Sequence, residues 1–361
     1  MKSKYIFVGP DPINISNNHP GGQLSAAQGL IQYADEYNKK IFIIDTLQSS
    51  FPIPPLRIRV KKALFRIKKT IRILSGQKIK GVIIFSAEGA SLIEKIIISF
   101  ICNLFSTPSI VFIRSGFFID QFNDSRIWRM IYYFLLKIPP YLGSQGNQWN
   151  QLFQKIKINK KKVILVRNWI LPDKILSKDL NKKQKKGSLT FLFTGWLVKA
   201  KGVLDLIEAF NHSDILRNCH LILAGDGNLM NQIKKDIKKN EIHNISLLGW
   251  CKPEKIDKLL LSSDVFVLPS YSEGFPNSLV EALAKGIPVI TTPVGGISDS
   301  VINYHNGFLI KVGDKEMLRN RMEWFALNKI KLNEFSLNSL AIAKNNHDYY
   351  SNCKNLFNIF R

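Results

Sequence analysis

The sequence predicts an α/β protein of two Rossmann-like, doubly wound halves with a cleft between them. Three observations carry that expectation. Short apolar runs rich in Ile, Val and Phe alternate with segments of helical period as far as Val166. A polar stretch, Asn181-Lys182-Lys183-Gln184-Lys185-Lys186-Gly187-Ser188, then interrupts the pattern, and the alternation restarts at Leu189. At 361 residues the chain has room for two such cores. Strands interleaved with helices in this way build parallel sheets covered on both faces.

In the first half, strands are expected at 5–8, 41–44, 81–85, 109–113 and 163–166, with helices at 24–37 and 127–137. A long loop after the first strand carries His19-Pro20-Gly21-Gly22-Gln23. In the second half, strands are expected at 189–194, 220–223, 246–248, 265–269 and 288–292. Glycine-bearing turns follow several of them, at Gly195-Trp196, Gly225-Asp226-Gly227, Gly249-Trp250 and Pro293-Val294-Gly295-Gly296. The resulting division is a first domain at 1–170, a linker at 171–187, a second domain at 188–335 and a helical segment at 336–361 that packs back on the first domain.

Composition narrows the function classes. Hydrophobic residues are 45% of the chain, which excludes a disordered polymer. No apolar run of about 18 residues is present to span a bilayer, and the apolar run that ends at Gly9-Pro10-Asp11 is too short for a signal peptide. A cytoplasmic protein is therefore expected. Cys102, Cys219, Cys251 and Cys353 are scattered, with neither metal-ligand nor disulfide spacing. The net charge of +24 points to nucleic acid, an anionic membrane surface or an anionic substrate, or to a coding bias toward Lys, Ile and Asn. Between Leu56 and Leu74, apolar residues at helical spacing interleave with Arg57, Arg59, Lys61, Lys62, Arg66, Lys68, Lys69 and Arg72, without one acidic residue. Such a helix either lies on anionic lipid or packs on the core with a solvated basic face.

The segment Ser272-Glu273-Gly274-Phe275-Pro276-Asn277-Ser278-Leu279-Val280-Glu281 says most about chemistry. It follows a strand-like run and leads into a helix expected at 278–285, with Asn277 as N-cap and Gly286 and Pro288 beyond the end. Glu273 then lies on the loop past a strand's C-terminal end, and Glu281 lies one turn into the helix. Backbone N–H groups between them face the crevice where open α/β sheets bind ligands, a geometry suited to an anionic ligand with hydroxyl-bearing ends. The plainer alternative is a Glu281–Lys285 surface ion pair beside a solvated Glu273.

The frame E-G-F-P-N-S-L-V-E-A-L resembles the paired-glutamate signature of retaining glycosyltransferases of family four. Lys201-Gly202, Gly225-Asp226-Gly227, Leu248-Gly249, Pro293-Val294-Gly295-Gly296 and Asn306-Gly307 stand in the order that family shows, and Gly21-Gly22 falls where it has a glycine-rich loop. The resemblance implies the two-domain GT-B fold, with acceptor binding in the first domain and nucleotide-sugar binding in the second. It implies that Glu273 holds donor-sugar hydroxyls, Glu281 accepts both ribose hydroxyls and Lys201 neutralises the diphosphate. Gly22, Gly195, Gly225, Gly274, Phe275 and Asn277 would line the donor, and Trp250 and Cys251 would flank the base. It implies no cofactor and no metal, a UDP-sugar donor and a lipid-linked oligosaccharide acceptor of O-antigen or capsule type, reached at the inner face of the cell membrane. Two departures stand out: Trp196 occupies a position where the family often has arginine, and Arg114 stands where many members carry an acceptor-side histidine. Arg114 and His19 are the acceptor-side candidates. A non-catalytic nucleotide-sugar or polyanion binder of the same fold is the rival reading. A nucleic-acid binder is disfavoured because no recognition module accompanies the charge.

Overall fold

The computed structural model describes residues 2–13, 22–47, 54–176 and 187–360. The chain divides into two compact units, one of Met1–Trp169 with Tyr349–Arg361 and one of Ile170–Asp348.

The first unit is built on strands β1 (Lys4–Gly9), β2 (Lys40–Asp45), β3 (Gly81–Ser86), β4 (Ser109–Ile113), β5 (Tyr141–Ser144) and β6 (Val163–Leu165). Between them run helices α1 (Gly22–Glu36), α2 (Leu56–Gly76), α3 (Ala90–Leu104), α4 (Phe117–Asp124), α5 (Arg126–Leu135) and α6 (Asn147–Lys155). Among the described residues these strands form one parallel sheet in the order β2-β1-β3-β4-β5-β6. Every residue of β3 and β4 is buried, which is why both read as unbroken apolar runs rather than alternating ones. Ile6, Val8, Ile84, Val111, Leu142 and Trp149 meet in this unit's core.

The second unit repeats the plan with β7 (Thr190–Thr194), β8 (His220–Ala224), β9 (Ile245–Gly249), β10 (Val265–Leu268), β11 (Val289–Thr291) and β12 (Gly307–Leu309). Its helices are α7 (Val203–Asn211), α8 (Met230–Lys239), α9 (Pro253–Ser262), α10 (Asn277–Ala284), α11 (Lys315–Leu327) and α12 (Leu332–Asn346). The described strands order as β12-β11-β10-β7-β8-β9, all parallel. The chain builds outward from β7 through β8 to β9, then returns to lay β10 on the other side of β7. The connections that leave neighbouring strands β7 and β10 thus run toward opposite edges of the sheet, and this is its topological switch point.

Three expectations are corrected. The stretch between 137 and 163 holds β5 and α6, which the sequence reading passes over. Pro139-Pro140 precedes β5 and Gly143 lies inside it; a Cβ on Gly143 would meet the Phe112 ring at 2.0 Å, so packing rather than propensity makes this strand. Residues 171–176, expected in a linker, belong to the second unit, where the Leu176 N–H donates to the Ala284 carbonyl at 2.9 Å. The segment 336–361 is divided: its first part continues α12 in the second unit, and α13 (Tyr349–Asn358) belongs to the first. There the Phe357 ring meets Tyr5 at 4.9 Å and stacks on Tyr33 at 5.5 Å.

Candidate functional site

The loops after β7 and β10 bring Lys201 and Glu273 together. Lys201 Nζ lies 2.5 Å from Glu273 Oε1, and Ser270 Oγ donates to the same oxygen at 2.8 Å. Glu273 is only 7% exposed, so it is not the solvated loop carboxylate of the plainer alternative. Its charge is tolerated because a cation and a hydroxyl meet it. Each side of this pair has a reason in the backbone. Lys201 ends a single 3₁₀ turn, Lys199–Lys201, and Gly202 follows in the left-handed region at φ 67°. A Cβ on Gly202 would lie 2.1 Å from the Pro269 carbonyl oxygen, so the β7 loop touches the β10 loop only because the residue is glycine. The Tyr271 N–H donates to the Ala200 carbonyl at 2.8 Å and ties the same two loops.

Two helices begin at this point. The N-cap residues, Gly202 before α7 (from Val203) and Pro276 before α10 (from Asn277), contribute no capping side chain. Helix starts without a capping side chain carry partial positive charge and N–H groups suited to an anion. Asn277 is the first helical residue rather than the N-cap; Pro276 takes that place at φ −75° and ψ 125°. The other end of α10 closes as expected at Gly286, with the Gly286 and Ile287 N–H groups donating to the Leu283 and Ala282 carbonyls at 2.9 and 3.0 Å.

Glu281 belongs to a separate cluster. Lys285 does not pair with it; Lys285 is buried and its Nζ lies 3.7 Å from Asp257 Oδ1, while Lys174 Nζ lies 2.5 Å from Asp257 Oδ2. Burial first, and then the Asp257 charge, raise the half-buried Glu281 carboxyl to about 7 against the opposing pull of Lys174 and Lys285. No ion pair joins Glu281 to another described residue, whereas Asp257 has taken both lysines.

The remaining predicted positions fall as follows. Gly195 and Gly225 pack backbone to backbone: a Cβ on Gly225 would meet the Gly195 carbonyl oxygen at 1.7 Å, so loop packing by itself demands that glycine. The Gly274 carbonyl accepts from the Gly296 N–H at 2.9 Å. Phe275 is buried with its ring 5.1 Å from that of His347. Trp250 is exposed on the β9 loop, and Cys251 is buried beside it, its Sγ 3.5 Å from the Gly249 carbonyl oxygen. In the first unit, Gly22 opens α1 and Arg114 follows β4 directly. His19 lies outside the described residues.

Sequence reasoning missed Ser270, Asp257, Lys174 and His347. Ser270 could have been found, since it stands where β10 gives way to the Glu273 loop. Asp257 and Lys174 are set beside Glu281 by tertiary packing alone. His347 is buried, with Nε2 2.8 Å from Ser300 Oγ, and no motif contains it.

The family described as glycosyl transferases group 1 matches residues 177–340. A UDP-Gal:alpha-D-GlcNAc-diphosphoundecaprenol alpha-1,3-galactosyltransferase of Escherichia coli is 34% identical over 143 residues, which is 38% of this chain and 36% of that protein. The chain therefore matches little more than a third of that relative's length. Among solved structures, sucrose-phosphate synthase of Thermosynechococcus elongatus is similar at a TM-score of 0.82 and 14% identity, covering 100% of this chain and 98% of that one. HepE of Anabaena, solved in complex with UDP-glucose, is similar at a TM-score of 0.74 and 19% identity, covering 99% and 98%. These likenesses show the fold, two parallel-sheet Rossmann-like domains of the GT-B class.

Proposed function

We propose that this chain, whose residues 177–340 match the family described as glycosyl transferases group 1, moves a sugar from a nucleotide-diphosphate sugar to an acceptor hydroxyl. The observation that carries the reading is the Lys201–Glu273 pair at the β7/β10 switch point, beside the starts of α7 and α10, whose N-cap residues Gly202 and Pro276 supply no capping side chain. Lys201 and those helix starts face the diphosphate and stabilise the charge that builds on it as it leaves, without a resident metal or other cofactor. Glu273, released in part from Lys201 by the bound diphosphate, accepts donor-sugar hydroxyls. Glu281 accepts the two ribose hydroxyls, which a single carboxylate is able to hold at once. Its unpaired state and its raised pKa describe a carboxylate waiting for donors.

In this reading the transfer retains configuration. The bond from the anomeric carbon to the phosphate oxygen breaks, the acceptor oxygen bonds on the same face, and the leaving phosphate oxygen takes the acceptor proton. UDP is the proposed nucleotide, since the similar HepE structure holds UDP-glucose and the E. coli relative is named for UDP-Gal. A lipid-linked saccharide in surface polysaccharide or lipopolysaccharide synthesis is the proposed acceptor, in keeping with the diphosphoundecaprenol of that relative's name.

Peripheral binding at the inner face of the cell membrane completes the proposal. No helix is long and apolar enough to cross a membrane among the described residues. The first half of α2 exposes Leu56, Ile58, Val60, Leu64 and Phe65 among its basic residues, and α5 exposes Ile127, Met130 and Phe134. Core packing does not account for those side chains, and anionic lipid suits both their apolar and their basic character.

The test is to incubate purified protein with a nucleotide-sugar panel and follow release of nucleoside diphosphate. Turnover with one donor, and loss of donor binding in Glu281→Ala, is the expected result. No turnover with any donor, together with unchanged donor binding in that variant, would refute the reading.

A further inference from the structure

Three strand ends of the first unit meet around one oxygen. Arg114, directly after β4, donates from a terminal guanidinium nitrogen to Asn168 Oδ1 at 2.5 Å. Gln145, directly after β5, donates from Nε2 to the same oxygen at 3.2 Å. Asn168 itself stands three residues past the end of β6. The Arg114 backbone N–H donates to the Ser86 carbonyl at 2.8 Å, which seats Arg114 against the end of β3 as well. Because β2 lies on one side of β1 and β3 on the other, this sheet's switch point is between β1 and β3, and the Ser86 contact at the end of β3 places the cluster next to it, at the edge where a parallel sheet takes ligands.

Two valences in the cluster are unfilled. Arg114 lies over the Phe85 ring, its Cζ 4.6 Å from the centroid, and no carboxylate among the described residues forms an ion pair with it. Gln145 is 1% exposed, and its Oε1 is buried with no hydrogen-bond partner. A desolvated cation calls for an anion, and a buried carbonyl oxygen calls for an O–H or N–H donor. The two are tied to one Asn168 oxygen, so a single small ligand reaches both. Arginine rather than histidine at this position excludes a general base and favours planar oxyanion recognition.

We infer that Arg114 and Gln145 form a subsite for an oxyanion with a hydroxyl beside it, a sugar carboxylate or a hydroxyl-bearing phosphate. Placed in the glycosyltransferase reading, on which this step rests, the subsite holds an acidic acceptor unit. Arg114 is then a binding residue that selects acidic over neutral acceptors.

The experiment titrates the full chain, with its second unit saturated by UDP, with glycerol 3-phosphate, with glucuronate and with glucose by calorimetry. At least one of the two anions binds, about tenfold or more tighter than glucose, and Arg114→Gln weakens it by about tenfold while Arg114→Lys weakens it less. The two anion arms tell phosphate from carboxylate. Gln145→Met weakens whichever hydroxyl-bearing anion binds by about threefold and leaves its hydroxyl-free counterpart, inorganic phosphate or acetate, unchanged, because only the hydroxyl contact is lost. Equal binding of glucose and the anions, absence of anion binding, or anion binding unchanged in Arg114→Gln would overturn the inference. If a melting curve shows Arg114→Gln unfolded, Gln145→Met decides, and unchanged affinity there for whichever of the two anions the parent binds overturns it. UDP titration alone reports on the glycosyltransferase reading: anion binding lost in Arg114→Gln without any UDP binding sinks the enzyme reading and leaves the subsite standing.

Discussion

The two units carry the same six-stranded parallel sheet but handle charge at its C-terminal edge in different ways. In the second, Glu273 is met by Lys201 and Ser270, so the resting chain neutralises its own carboxylate. In the first, Arg114 has an aromatic face and an amide oxygen but no counter-charge among the described residues. Glu281 lies between these cases, near two lysines that Asp257 has taken. The difference teaches that a charged residue at a strand end is best judged by what meets it. A neutralised pair is organised in advance for a ligand that displaces one partner, whereas an unmet charge specifies the ligand's sign.

Variants test this contrast, in order of expected effect. Lys201→Ala removes the cation at the switch point and leaves Glu273 buried without its partner, so turnover falls by about 10²–10³, measured as initial rate at saturating donor. An unchanged rate would remove lysine from the mechanism. Glu281→Ala weakens UDP-sugar binding by about thirtyfold or more in a calorimetric titration, as loss of two charge-assisted hydrogen bonds requires. Gly202→Ala places a side chain at φ 67° against the Pro269 carbonyl, and about 1–3 kcal/mol of stability is lost in urea titration.

Glu281→Gln acts in the other direction on stability. The folded-state pKa of Glu281 is raised from 4.5 to about 7, so its protonated form is favoured by folding. That contribution is fully present below 4.5 and is lost as pH rises through about 7. A neutral amide avoids the loss, and the variant melts higher than the parent at pH 8 but not at pH 4. Asp257→Asn has the smallest effect. With one raising charge gone, and with Lys174 and Lys285 released toward Glu281, the carboxyl titrates at lower pH by NMR.

Much of the second unit was legible because its chemistry is local. The Glu273–Glu281 frame, the glycine turns and the end of α10 at Gly286 lie within short stretches whose residue types restrict the backbone. Lys201 was legible through the resemblance, and the structure adds the glycine contact that holds it near Glu273. What escaped is non-local. Asp257 and Lys174 approach Glu281 from elements far apart in sequence. β5 is four residues long and contains a glycine that only the Phe112 ring explains. Asparagine favours an N-cap, yet Pro276 with its fixed φ takes that position and Asn277 begins the helix. The amphipathic period of α2 was legible, but not that its apolar stripe is largely exposed over the first half. Arg114 was legible as a departure from the family; its lack of a counter-charge required the packing around it.

The pH dependence of UDP-glucose binding tests the central claim most directly, because the diester diphosphate of this ligand does not titrate near neutrality while Glu281 does. The account predicts that the parent protein binds more weakly at pH 6 than at pH 8, and that Glu281→Gln binds weakly and equally at both. Binding of the same strength at both pH values in parent and variant would contradict the placement of the nucleotide at Glu281.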